Sequence, residues 1–97
     1  MVRSKRINYS VADPAHVRQA RVHYEIERFF EARMAEMALT AHELNTHCRT
    51  EVHASKDTES YSSYLLYRNR TIAVGAYRYH RGEEGDAAEL MLSSYAL

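Results

Sequence analysis

Tyr61-Ser62-Ser63-Tyr64-Leu65-Leu66-Tyr67-Arg68-Asn69-Arg70 is the stretch on which the fold turns. Tyr61, Tyr64 and Leu65 fall at helical spacing and predict a helix that ends near Tyr67. Asn69 suits a turn after it. The next residues, Thr71 to His80, are β-rich, and their end alternates aromatic with polar side chains. Arg81-Gly82-Glu83-Glu84-Gly85-Asp86 then reads as a polar, glycine-punctuated turn. Residues 87–97 can return as a strand or close as a helix. A strand is favoured, because residues 71–80 need a hairpin partner.

Upstream, Thr40-Ala41-His42-Glu43 fits a capping box, with the Thr40 hydroxyl bonding the Glu43 N–H and the carboxylate reaching back. Leu39 and Leu44 are placed as the accompanying hydrophobic staple. A short helix should therefore begin at Ala41 and end near Cys48. Residues 49–57 have two readings: a loop with Ser55 capping the next helix, or an earlier helix capped by Thr50. Before all of this, Asp13-Pro14 is a good helix start. Val22, Ile26, Phe29, Phe30, Met34 and Met37 give one apolar stripe, so a long helix should cover residues 14–38. Residues 1–12 read as an arm. The expected class is α+β: one domain over residues 13–97 with a long N-terminal helix, a short capped helix, a third helix and a β-hairpin.

That order is the order of a winged helix-turn-helix. Leu39-Thr40-Ala41-His42-Glu43-Leu44 resembles the start of the second helix in winged-helix regulators, including small ones common in prophages. Tyr64-Leu65 resembles the end of their recognition helix, and Ile72-Ala73-Val74-Gly75-Ala76-Tyr77-Arg78 the strand that follows. The resemblance covers residues 39–80. It implies a transcriptional regulator that binds double-stranded DNA, with Lys56, Glu59, Ser60, Ser62 and Ser63 facing the groove. Arg68, Arg70 and Arg78 would then hold phosphates, giving affinity and salt dependence rather than specificity. Asp57 and Glu59 beside the third helix, and Glu83, Glu84 and Asp86 at the hairpin tip, oppose that role by charge.

The chain has 97 residues, 13 Lys and Arg against 13 Asp and Glu, and a net charge of zero. Zero charge argues against a histone-like binder. The charge is nevertheless segregated: Arg68, Arg70, Arg78 and Arg81 occupy residues 60–82 without an acid, and the tail from Glu83 carries acids without a base. No apolar run is long enough for a membrane span. The basic start lacks an apolar continuation, so no signal peptide is expected. The lone Cys48 fits a reducing, cytoplasmic compartment.

His42, His47, Cys48 and His53 lack the paired spacing of a metal site and read as surface groups around a small buried thiol. No metal or other cofactor is expected. No nucleophile–base order, phosphate loop or paired-carboxylate motif is present, so the chain is not read as an enzyme. Of the eight tyrosines, Tyr61, Tyr64, Tyr67, Tyr77 and Tyr79 share the arginine-bearing stretch. Such a mixture can stack on bases or build a protein interface, although many rings should simply complete the core. The second functional reading is a non-enzymatic, phage-type inhibitor or adaptor that binds a host protein. An exposed sheet edge would also allow a homodimer.

Overall fold

The computed structural model describes residues 3–56 and 59–96. The element order is β1 (Arg3–Tyr9), α1 (Ala15–Glu36), α2 (Ala41–His47), β2 (Cys48–Ala54), β3 (Tyr61–Tyr67), β4 (Arg70–His80) and β5 (Ala87–Ser94). All strands join one antiparallel sheet in the order β1-β5-β4-β3-β2. The expected winged-helix arrangement of three helices and a hairpin is therefore corrected to two helices and a five-stranded sheet.

The decisive stretch forms β3, not a third helix. Three tyrosines in seven residues favour a pleated surface, and short apolar runs carry both periods. β3 lies between β2 and β4. Both of its edges are consequently hydrogen-bonded, and its burial does not alternate cleanly, with Leu65 and Leu66 both buried beside a register shift. Arg68 and Asn69 close the β3–β4 hairpin with φ of 50° and 67°. Two successive positive φ values make the two-residue turn whose twist matches antiparallel strands. The turn expected at Asn69 is present; what precedes it differs.

Two further expectations shift. Residues 3–9, read as part of an arm, pair with β5 as an edge strand. Residues 48–54 form β2 rather than a loop or a third helix. The returning strand after the glycine turn is present as β5. Asp57 lies outside the described residues.

α1 occupies one face of the sheet, mainly over β4 and β5. Its inward stripe is Arg18, Val22, Ile26 and Phe30, all buried. The apolar members pack on Leu65, Ile72, Ala73, Tyr77, Leu90 and Leu92. The helix starts one residue later than expected, and Asp13 does not cap it: its carboxylate accepts from Arg21 Nη1 at 2.9 Å. At α2, the Thr40 hydroxyl accepts from the Glu43 N–H at 3.1 Å. The other half of the expected box is rerouted, because Glu43 Oε2 accepts from the Tyr67 hydroxyl at 3.2 Å.

Gly75 sets how closely α1 approaches. A Cβ there would lie 2.7 Å from Ile26 Cγ1 and 3.3 Å from Leu92 Cδ2. Neither atom is a free chain end on the surface, since Ile26 and Leu92 are core residues. Gly75→Val should lower folding stability by about 1–3 kcal/mol through overpacking. The urea midpoint should fall accordingly, and an unchanged midpoint would mean that α1 does not seat on β4 in this way.

Candidate functional site

Three surfaces hold the chemistry-bearing residues: a polar cluster at one end of α1, a groove along β2, and the sheet face opposite α1.

The cluster is built around Arg18. Its side chain is only 5% exposed, and Nη2 donates to Glu59 Oε1 at 2.8 Å. Nη1 donates to the Val11 carbonyl at 3.3 Å and also to the Asp13 carbonyl. The guanidinium lies 5.1 Å from the centroid of the Tyr79 ring. Glu59 Oε2 accepts from Tyr77 at 2.6 Å and from Gln19 at 3.2 Å. Burial works against the Glu59 charge, but hydrogen bonds from Arg18 and Tyr77, and the Arg18 charge, outweigh it and hold the carboxyl below its ordinary value. Burial, reinforced by the bond to Glu59, pushes the Tyr77 phenol up to about 12. Every Glu59 oxygen is therefore engaged by a donor. The arrangement is suited to a fixed structural anion that ties α1 to the start of β3 and to β4.

The groove arises because α1 sits over β4 and β5 and leaves the outer part of the same sheet face bare. A cavity of about 180 Å³ opens there between α1 and β2–β3. His23, Ile26, Glu27 and Phe30 form its helix side, and Thr50, Val52, Tyr61 and Ser63 its sheet side. A neighbouring cavity continues past Val52 and Ala54 to Glu59. Val52 is 63% exposed, the most exposed large aliphatic side chain among the described residues. Beside it, β2 is an edge of the sheet, with no strand neighbour on its outer side among the described residues.

The opposite sheet face is the one away from α1. Register places Arg6, Met91, Ala76, Ser62 and His53 in one row across all five strands. Its acids are paired: Glu89 lies 3.7 Å from Arg6, and Glu51 lies 3.0 Å from Arg49. His53 meets the Tyr64 ring edge-on at 5.3 Å. This face is mixed in sign and carries little uncompensated positive charge.

The residues expected to contact DNA do not share a surface. Lys56 is exposed in the β2–β3 loop, while Arg68 and Arg70 sit at the far end of β3. A seven-residue strand separates these ends by roughly 20 Å. Glu59 is engaged by Arg18, and Ser60 Oγ accepts from the Tyr79 N–H at 2.9 Å. Ser62 faces the open side, whereas Ser63 is buried under α1 at 7% exposure. Arg78 is exposed on the open side. The structure thus brings only Ser62 and Arg78 to one face.

Sequence reasoning passed over the β2 groove. The available signal was the alternation of Arg49, Glu51 and His53 with Thr50, Val52 and Ala54. Arg18 and Glu59 are 41 positions apart, and no local pattern links them. Cys48 opens β2, and burial raises its thiol, which keeps it protonated. Among the described residues, no group of three or more His, Cys, Asp or Glu is placed to hold a metal ion. No described helix is long and apolar enough to cross a membrane. Comparison with protein-family models, curated proteins and solved structures gave no match.

Proposed function

We propose that this chain is a non-enzymatic protein-binding module that docks another polypeptide, in extended form, along β2. The observation that carries the reading is Val52, 63% exposed beside an apolar groove at an unpaired sheet edge. An edge strand offers a row of free N–H and C=O groups, and strand addition combines that row with side-chain pockets for specificity. The groove supplies such a pocket from Ile26, Phe30 and Tyr61. The two sheet edges differ: β1 carries Arg3, Lys5 and Arg6, a concentration of like charge that discourages pairing, whereas β2 alternates both signs with small apolar residues.

The test uses the purified chain against a random-peptide library. Extended sequences with alternating apolar residues should be selected. Their binding should vanish in Val52→Pro and survive in Arg78→Ala, which alters the opposite face. Random duplex DNA at two salt concentrations is the counter-test. Steeply salt-dependent DNA binding, with no peptide selected, would overturn the reading.

A further inference from the structure

We infer that the polypeptide docked on β2 is a second copy of this chain, paired antiparallel so that Val52 lies opposite the partner copy's Val52. The inference rests on the strand-docking role of β2 proposed above.

Ser55 N donates to Ser60 O, and Arg68 N donates to His47 O, both at 3.0 Å. Both bonds follow the β2–β3 register. They turn the polar groups of the odd-numbered β2 residues toward β3. Antiparallel alternation then turns the N–H and C=O of Cys48, Thr50, Val52 and Ala54 outward. A two-fold axis normal to the sheet pairs these residues with the same set on a second copy.

Four central registers are available, with Thr50, Glu51, Val52 or His53 on the axis; the His53 register carries Glu51 opposite Ser55, beyond the end of β2, and sets His53 against His53. The Glu51 register sets Glu51 against Glu51, so like charges meet at the centre; directly opposed like charges destabilise a ladder. The Thr50 register carries the incoming strand beyond Cys48, where α2 ends at His47 and occupies the continuation. The Val52 register avoids these faults. It sets Glu51 against His53 twice, and it keeps the incoming Thr50–Ala54 segment within β2. It also places the two most exposed aliphatic side chains together on the groove side. The product is one continuous ten-stranded sheet with both α1 helices on the same face, and the two grooves meet at the axis.

β1 does not offer the same solution. Self-pairing of β1 about Ser4, Lys5 or Arg6 sets like charges directly opposite, and about Ile7 it pairs Lys5 with Tyr9 and Arg6 with Asn8 and supplies no acid for either base.

Sedimentation equilibrium of the intact chain tests the inference, with variants that leave the monomer's core untouched. Wild type should sediment at twice the monomer mass. Val52→Pro should sediment as a monomer, because it removes an outward N–H where an edge strand tolerates proline. Glu51→Lys should weaken association roughly tenfold, and Glu51→Lys combined with His53→Glu should restore it. Register is read separately with Val52→Cys in a Cys48→Ser background. A 52–52 disulfide should form, since hydrogen-bonded antiparallel pairs hold their Cα atoms about 5.5 Å apart.

A wild-type monomer at millimolar concentration, a dimer unaffected by Val52→Pro, or a larger open assembly would each overturn the inference. A monomer that still selects extended peptides lost in Val52→Pro would remove the second copy while leaving the strand-docking role intact. A monomer that selects none would remove both.

Discussion

Glu59→Ala should lower folding stability by roughly 3 kcal/mol, because it leaves the Arg18 guanidinium buried without its counter-ion. Arg18 is 5% exposed and Glu59 is 26% exposed. The partial solvation of Glu59 places the expected loss at the low end of the range for breaking a buried pair. Urea unfolding followed by circular dichroism measures it. The double replacement Arg18→Met with Glu59→Leu should recover most of the loss, since removing both charges also removes their desolvation cost. A single variant as stable as wild type would mean that Arg18 finds solvent when Glu59 is absent.

The same pair sets the acid limb of stability. The folded Glu59 carboxyl is held below its unfolded value. Its contribution is therefore complete above the ordinary glutamate range, near 4.3, and is lost as pH falls through the lower folded value. Glu59→Gln should flatten that part of the stability–pH curve.

Tyr77→Ala should cost about 3–5 kcal/mol, in the range for emptying a large buried aromatic site. Tyr77 is 1% exposed. Its ring lies between Tyr9, at 6.4 Å edge-on, and Tyr61, at 5.8 Å. Tyr77→Phe separates packing from hydrogen bonding. It keeps the ring and removes the hydroxyl that donates to Glu59, a charge-assisted bond of about 1.5–3 kcal/mol. Because Tyr77 and Glu59 are in contact, Tyr77→Phe and Glu59→Ala should not add, and the double variant should lose less than the sum. Additive losses would show that the phenol bonds elsewhere in solution.

Tyr77 also produces an alkaline limb. The unfolded phenol ionises near 10, and burial raises the folded one to about 12. Stability is complete below the first value and falls as pH climbs toward the second, because the unfolded chain releases the proton first. Tyr9, raised to about 12 chiefly by burial, acts in the same direction. Its hydroxyl is buried without a hydrogen-bond partner. Tyr77→Phe should reduce the alkaline loss without abolishing it, and an unaltered alkaline limb would count against a buried Tyr77.

Local chemistry was legible where one residue acts on its near neighbours. Thr40 bonds Glu43 three positions on, and that spacing is visible in the chain. Val22, Ile26 and Phe30 repeat every four residues and face the core as the period requires. Asn69 and the glycines around residues 82–85 mark turns that the backbone makes. The failure came at Tyr61–Tyr67, where three tyrosines and two leucines satisfy a helical and a strand reading alike. The choice lies outside the segment: β2 and β4 flank it, and their hydrogen bonds hold it extended. The same error hid β2, since a strand without a recognised neighbour reads as a loop.

The sequence by itself determined the long amphipathic helix, the cap at Thr40 and the turns at Asn69 and at residues 82–85, because these depend on side chains within a few residues of one another; for residues 87–97 it favoured a strand and left a helix open. Only the tertiary structure decided that residues 61–67 are extended, that β1 closes beside β5, and that Arg18 meets Glu59 across 41 positions. It also decided that α1 rests over β4 and β5 and leaves Val52 bare. Strand pairing and layer coverage join residues far apart along the chain, and no local period encodes which distant strand will supply the hydrogen bonds.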